Sequence, residues 1–139
     1  MNLVNVDLVK NSNIAMENKM KLKLAQVWSC QQAMPKLLGR ELANTKASYW
    51  IGRNAKAIDA EYDILNTSRI KMVKQHGVED NVTKQWNIPK EKIEEFTTEF
   101  NKLLETEIEV NITPISISDI PDAKLSPLDT VAIDFMLKE

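Results

Sequence analysis

The sequence predicts an α+β protein that is predominantly helical. It places an N-terminal antiparallel helical hairpin over 16–77 and a small C-terminal part over 78–139, with a short antiparallel sheet and two helices. Three observations predict this. Between Ala47 and Gly77, the residues Ile51, Ala55, Ile58, Tyr62, Leu65 and Met72 keep a helical period interrupted only at Arg69, so one face of a long helix is apolar. Only three glycines and five prolines occur in 139 residues, too few for the tight turns of an all-β fold. From Glu107 onward the period falls to two, the alternation of a half-buried strand. The length suits one domain with one core, and the only shift in composition falls near Gly77.

Met1 to Lys10 alternates weakly and reads either as a short strand or as an arm that docks late. From about Met16 to Glu41, Met20, Leu24, Val27, Met34 and Leu38 recur at helical spacing, which predicts the first arm of the hairpin. Pro35 lies inside it. A proline there lacks the amide hydrogen and crowds the carbonyl of Gln31, so a kink or a division into two helices is expected near Ala33–Met34. Asn44 or Thr45 is placed to cap the second arm, and the short connection before it suits antiparallel neighbours. Gly77 is expected to end that arm in the left-handed capping conformation.

Asn81 to Ile88 alternates and reads as a short edge strand. Pro89 is expected at the first position of a helix running to Glu105, with Ile93, Phe96, Phe100 and Leu103 along one face. A strand over Glu107 to Ile117, interrupted at Pro114, and a loop over Asp119 to Lys124 follow. Ser126-Pro127-Leu128-Asp129 then has the order of a capping serine, a first-turn proline and an acidic third residue, opening a last helix with Leu128, Val131, Ala132 and Phe135.

A net charge of -2 and a pI near 5.5 disfavour nonspecific binding to nucleic acid or anionic lipid. The single cysteine, Cys30, forms no internal disulfide and reads as a small core residue. No basic-then-apolar leader opens the chain and no run of about eighteen apolar residues occurs. An intracellular location is therefore expected, with no membrane partner. His76 is the only histidine, so a Cys/His nucleophile pair depends on Cys30 meeting it across the fold. Glu94 and Glu95 point about a hundred degrees apart on a helix interleaved with lysines, the pattern of a solvated face and not of a cation site. There is no glycine-rich phosphate loop, serine elbow or Cys-x-x-Cys pair, so no catalytic residue, metal or cofactor is expected.

The candidate partner-binding residues are Tyr49, Trp50, Arg53, Lys56, Arg69 and Trp86. Arg40, Lys46, Arg53, Lys56, Arg69, Lys71 and Lys74 gather on the hairpin beside two aromatics, although Asp59, Glu61 and Asp63 sit among them. Trp50 lies just beside the apolar seam, where a large aromatic either completes a core or anchors a partner.

Lys46-Ala47-Ser48-Tyr49-Trp50-Ile51 opens a long helix, and Phe96 and Phe100 precede Leu103-Leu104-Glu105. A β run follows, then Leu125-Ser126-Pro127-Leu128-Asp129 and Phe135-Met136. This succession, from about residue 40 onward, resembles small uncharacterised proteins of phages and prophages of Gram-positive bacteria. The resemblance implies a viral or prophage origin and brings no active site with it. The expected function is therefore non-enzymatic protein–protein binding as a virion or assembly component, with a homo-oligomer among its partners. The alternatives are an inhibitor of a bacterial defence or host protein and a nucleic-acid-binding accessory protein.

Overall fold

A computed structural model describes residues 19–138 as β1 (Lys19–Lys23), α1 (Leu24–Cys30), α2 (Met34–Leu38), α3 (Thr45–His76), β2 (Val78–Glu79), β3 (Trp86–Asn87), α4 (Lys90–Leu104), β4 (Glu107–Asn111), β5 (Ile115–Ser116), α5 (Pro127–Ala132) and β6 (Leu137–Lys138). Single 3-10 turns occupy Ile117–Asp119, Pro121–Ala123 and Asp134–Met136. Helix of both kinds accounts for 62% and the strands are few and short, so the α+β, mainly helical class stands. The reading of Met1 to Lys10 lies outside the described residues.

The first arm differs from its expectation. Its described part is a strand, β1, followed by the two short helices α1 and α2 in place of one helix. β1 pairs antiparallel with β4, setting Met20 opposite Val110 and Leu22 opposite Ile108, while Lys21 faces Glu109 and Lys23 faces Glu107. The alternation Lys-Met-Lys-Leu-Lys thus puts its apolar residues on one face and opposite charges across the other, which stabilises the pair. The division around Pro35 falls where expected. α1 stops at Cys30, and α2 starts at Met34 with the proline in its first turn, where no amide hydrogen is needed.

α3 runs unbroken for 32 residues, and the side-chain oxygen of Asn44 caps it by accepting from the Ala47 amide at 3.0 Å. Its N-terminal half supplies Ala47, Ile51, Ala55 and Ile58 to the main core. There they meet Leu22, Val27, Cys30, Met34 and Leu37 from the first elements and Val110, Ile112, Ile115, Ile133 and Met136 from the last. Each large side chain fully buried in this way contributes about 1.5–3 kcal/mol. One core thus draws on both ends of the described segment. At the far end of α3, Gly77 has φ -102 and ψ 174, extended and not left-handed. Glycine is required there for space, because a Cβ would lie 2.6 Å from the Val73 carbonyl oxygen and 3.1 Å from that of Asn87.

Of the strand expected over Asn81 to Ile88, only Trp86–Asn87 pairs, with Val78–Glu79. The Asp80 carboxylate accepts from the Val82 and Thr83 amides and fixes a turn at 81–83 instead, with Lys84 in the left-handed region at φ 61. Those two amides also hold the Asp80 carboxyl below its ordinary pKa. Pro89 precedes α4 as its cap residue and is not its first helical residue.

The β run breaks at Pro114 as expected, yet β5 does not return to β1; it pairs parallel with β6 at the end of the described chain. α5 has the expected start, with Ser126 Oγ accepting from the Asp129 amide at 3.1 Å and the Asp129 carboxylate accepting from the Ser126 amide. Asp129 also accepts from Lys36 Nζ at 3.3 Å, tying α5 to α2.

Candidate interaction surface

Two exposed helical faces of the described residues differ in charge. On α3, the positions Lys46, Tyr49, Arg53, Lys56, Ala60, Ile64, Thr67, Lys71 and Lys74 follow one another at steps of three or four and are all exposed. At 100° per residue they form one row along the helix, half a turn away from the buried seam of Ile51, Ile58, Leu65 and Met72. Five of the nine are cationic, and Asp59 and Asp63 lie beside the row. Tyr49 at 57% and Ile64 at 64% exposure are large apolar groups on a face that no other described element covers.

α4 presents the opposite charge. Glu91, Glu94, Glu95, Thr98, Glu99 and Lys102 line a shallow open depression on its outer face. No residue of this 15-residue helix is buried; its apolar side is held by aromatic rings in partial exposure. Phe96 stacks on Phe100 at 6.0 Å and meets His76 edge-on at 6.2 Å, while Phe100 meets Trp28 edge-on at 5.4 Å. Trp28 in turn stacks on Tyr62 at 5.7 Å. Glu99 reaches over to His76 at 2.7 Å. Because α3 and α4 meet through these rings, the basic row and the carboxylates of Glu91, Glu94 and Glu95 lie on the far sides of the two helices and face away from each other, whereas Glu99 flanks the contact and is held by His76.

Of the candidate residues, Tyr49, Arg53 and Lys56 come together on the outer row. Trp50 lies off the row, partly buried against the core, where it lines a cleft with Lys46, Pro114, Ile115, Ser116 and Lys138 and meets the Tyr49 ring edge-on at 5.3 Å. Arg69 points the other way, its guanidinium 5.8 Å over the Trp28 ring and its Nε donating to Asn66 Oδ1. Trp86 stands apart on β3, at 37% exposure. The remaining basic candidate, Arg40, donates from Nε to the Ala123 carbonyl oxygen.

Two further α3 positions, Ile64 and Asn54, carry little signal in the sequence. Ile64 sits one place before the seam residue Leu65, and only its outward direction distinguishes it. Asn54 lies between the seam positions Ile51 and Ile58, where a polar residue in a helix interior was the available signal. Its side chain donates to the Thr113 carbonyl oxygen and accepts from the Thr113 amide.

Cys30 is buried, and its thiol donates to the Val27 carbonyl oxygen. Burial, joined by the negative charge of Asp59, pushes that thiol up to about 11, so it is neutral and unreactive near neutral pH. His76 lies on the same helix as Asp59, seventeen residues further on, or about 25 Å at the rise of an α-helix. Cys30 and His76 are therefore not paired. Among the described residues, no three His, Cys, Asp or Glu side chains group as metal ligands, and no helix is long and apolar enough to cross a membrane.

The described residues thus define a small α+β protein with two oppositely charged helical faces. No protein-family model matches the chain, and no curated protein or solved structure is significantly similar to it.

Proposed function

We propose that this protein acts by binding other proteins, as an assembly component of a phage-type particle in the host cytoplasm or virion, without turnover. The observation that carries the reading is the outer row of α3, where Tyr49 and Ile64 stand exposed among five cations on a helix about 48 Å long. An isolated exposed side chain is ordinary on a protein surface, but two large ones aligned on an uncovered face supply anchors for a partner. In this reading, α1 and α2 lie antiparallel to α3 as an arm, and the sheets with α4 and α5 form its base.

Sedimentation of the purified chain across a wide concentration range tests the proposal. Species heavier than the 15.9 kDa monomer are expected, and Tyr49→Ala with Ile64→Ser should weaken them. A monomer at every concentration that the double variant leaves unchanged would remove the assembly reading. The open carboxylates of α4 favour a second reading, an inhibitor that covers a basic site on a bacterial defence or host protein. That reading predicts a monomer or dimer whose capture of its target is lost in Glu94→Lys with Glu95→Lys. A nucleic-acid accessory role would draw on the basic row and predicts salt-sensitive DNA retention that Arg53→Glu with Lys56→Glu abolishes.

A further inference from the structure

We propose that copies of this chain associate head to tail, the basic outer row of α3 on one copy seating against the acidic outer row of α4 on the next. The inference rests on the assembly reading and assigns its interface. From Lys46 to Lys56 the basic row covers ten helical steps, about 15 Å, and carries Lys46, Arg53 and Lys56 with Tyr49 among them; the depression from Glu91 to Lys102 covers eleven, about 16 Å, with Glu91, Glu94 and Glu95 open and Glu99 turned to His76 at its edge. The first part of the basic row and this depression are similar in length, and three cations there face three open carboxylates, with Lys102 at the far end of the depression. Thr98, one turn beyond Glu94 and Glu95, and the aliphatic stem of Lys102 in the next turn offer a place for the Tyr49 ring.

Direction follows from placement. The basic row meeting its own symmetry mate would set cation against cation, and the acidic row carboxylate against carboxylate, so a two-fold dimer through either is disfavoured. A contact between unlike faces is heterologous. Since the two faces point away from each other, every added copy leaves one of each open, and growth continues as a chain or closes as a ring. Lys71 and Lys74 extend the basic row beyond the contact and add to long-range attraction.

The full chain is tested by sedimentation velocity at low salt and at about 1 M salt, where the Debye length is about 3 Å. Two charge-swapped variants, Arg53→Glu with Lys56→Glu and Glu94→Lys with Glu95→Lys, are run alone, as a mixture, and combined in one chain. All four positions are exposed, and circular dichroism checks that each variant is folded. The expectation is that high salt or either swap alone weakens association about tenfold or more. Mixing the two variants restores it, because each face again meets its opposite, and so does combining them in one chain. Association that ignores salt and both swaps, or swaps that mixing fails to rescue, overturns this interface while leaving assembly in place. No association under any condition overturns the assembly reading as well. A monomer that retains DNA through Arg53 and Lys56 assigns the basic row to nucleic acid and overturns the proposal.

Discussion

Asn54 and Thr113 are joined by a reciprocal pair of hydrogen bonds: Asn54 Nδ2 donates to the Thr113 carbonyl oxygen and Asn54 Oδ1 accepts from the Thr113 amide, each at 2.9 Å. The pairing answers a local need. β4 ends at Asn111 and Pro114 has no amide hydrogen to continue a ladder, so the backbone of Thr113 leaves the sheet next to the core. Asn54, at 1% exposure on α3, supplies both missing partners and fixes the β4–β5 connection to the long helix. Asn54→Ala leaves the Thr113 groups without their partners and is expected to cost about 2–4 kcal/mol in urea unfolding. Asn54→Asp keeps the shape but puts a carboxylate against the Thr113 carbonyl, and should be at least as damaging. A loss below about 0.5 kcal/mol in both would show that water replaces the pair.

Gly77→Ala should destabilise although the residue has a negative φ, because the added Cβ meets two backbone carbonyls that cannot swing aside. The expected cost is about 1–3 kcal/mol, in the range of overpacking, accompanied by weaker protection of the Trp86–Asn87 strand in hydrogen exchange. A neutral or stabilising result would mean that α3 ends differently in solution.

The Cys30 thiol should resist alkylation in the native state near pH 8 and react at the rate of a free thiol once the chain is unfolded. Its folded pKa is raised from 9.0 to about 11, so its stabilising effect is complete below the lower value and is lost as pH rises through the upper one. Cys30→Ala should therefore flatten that alkaline decline in urea midpoint, at the cost of a small cavity.

At Asp129 burial pushes the carboxyl upward, but hydrogen bonds from Ser126 and Lys36, with the Lys36 charge, outweigh it and leave the carboxyl below its ordinary value. The sign is opposite to that of Cys30. Stability from Asp129 is present above the ordinary carboxylate range and is lost as pH falls through the lowered folded value. Asp129→Asn should remove part of the acid-side decline in unfolding midpoint, and Lys36→Met a smaller part; an unchanged acid limb in Asp129→Asn would show that other carboxylates control it.

The Trp28 ring links Tyr62, Phe100 and Arg69, and α4 is attached mainly through such half-exposed rings. Trp28→Ala is expected to cost about 2 kcal/mol, less than removal of a fully buried aromatic. Hydrogen exchange should quicken most in α4 and hardly in β4, whose Val110 belongs to the main core. Uniform quickening would mean that α4 and the core open together.

The features legible from residue order alone each lie within a few residues of their cause. The seam of α3, the Asn44 cap, the break at Pro35 and the Ser126–Asp129 start of α5 all depend on neighbours along the chain, and their residue types identify them. β1 depended on a distant partner. Met20, Leu24 and Val27 fit a helical period as well as Met20 and Leu22 fit an alternating one, and only Glu107 and Glu109 arriving opposite Lys23 and Lys21 favour the strand. The same holds for Gly77, whose need for glycine is set by the approach of Asn87, and for Asn54, whose partner comes from the far half of the chain. The candidate interaction surface divides in the same way. Composition placed the cations on α3 and the carboxylates on α4, but tertiary packing decided that Trp50 and Arg69 turn inward while Tyr49, Arg53 and Lys56 remain open. A helix has two long faces, and only what packs against it determines which one meets water.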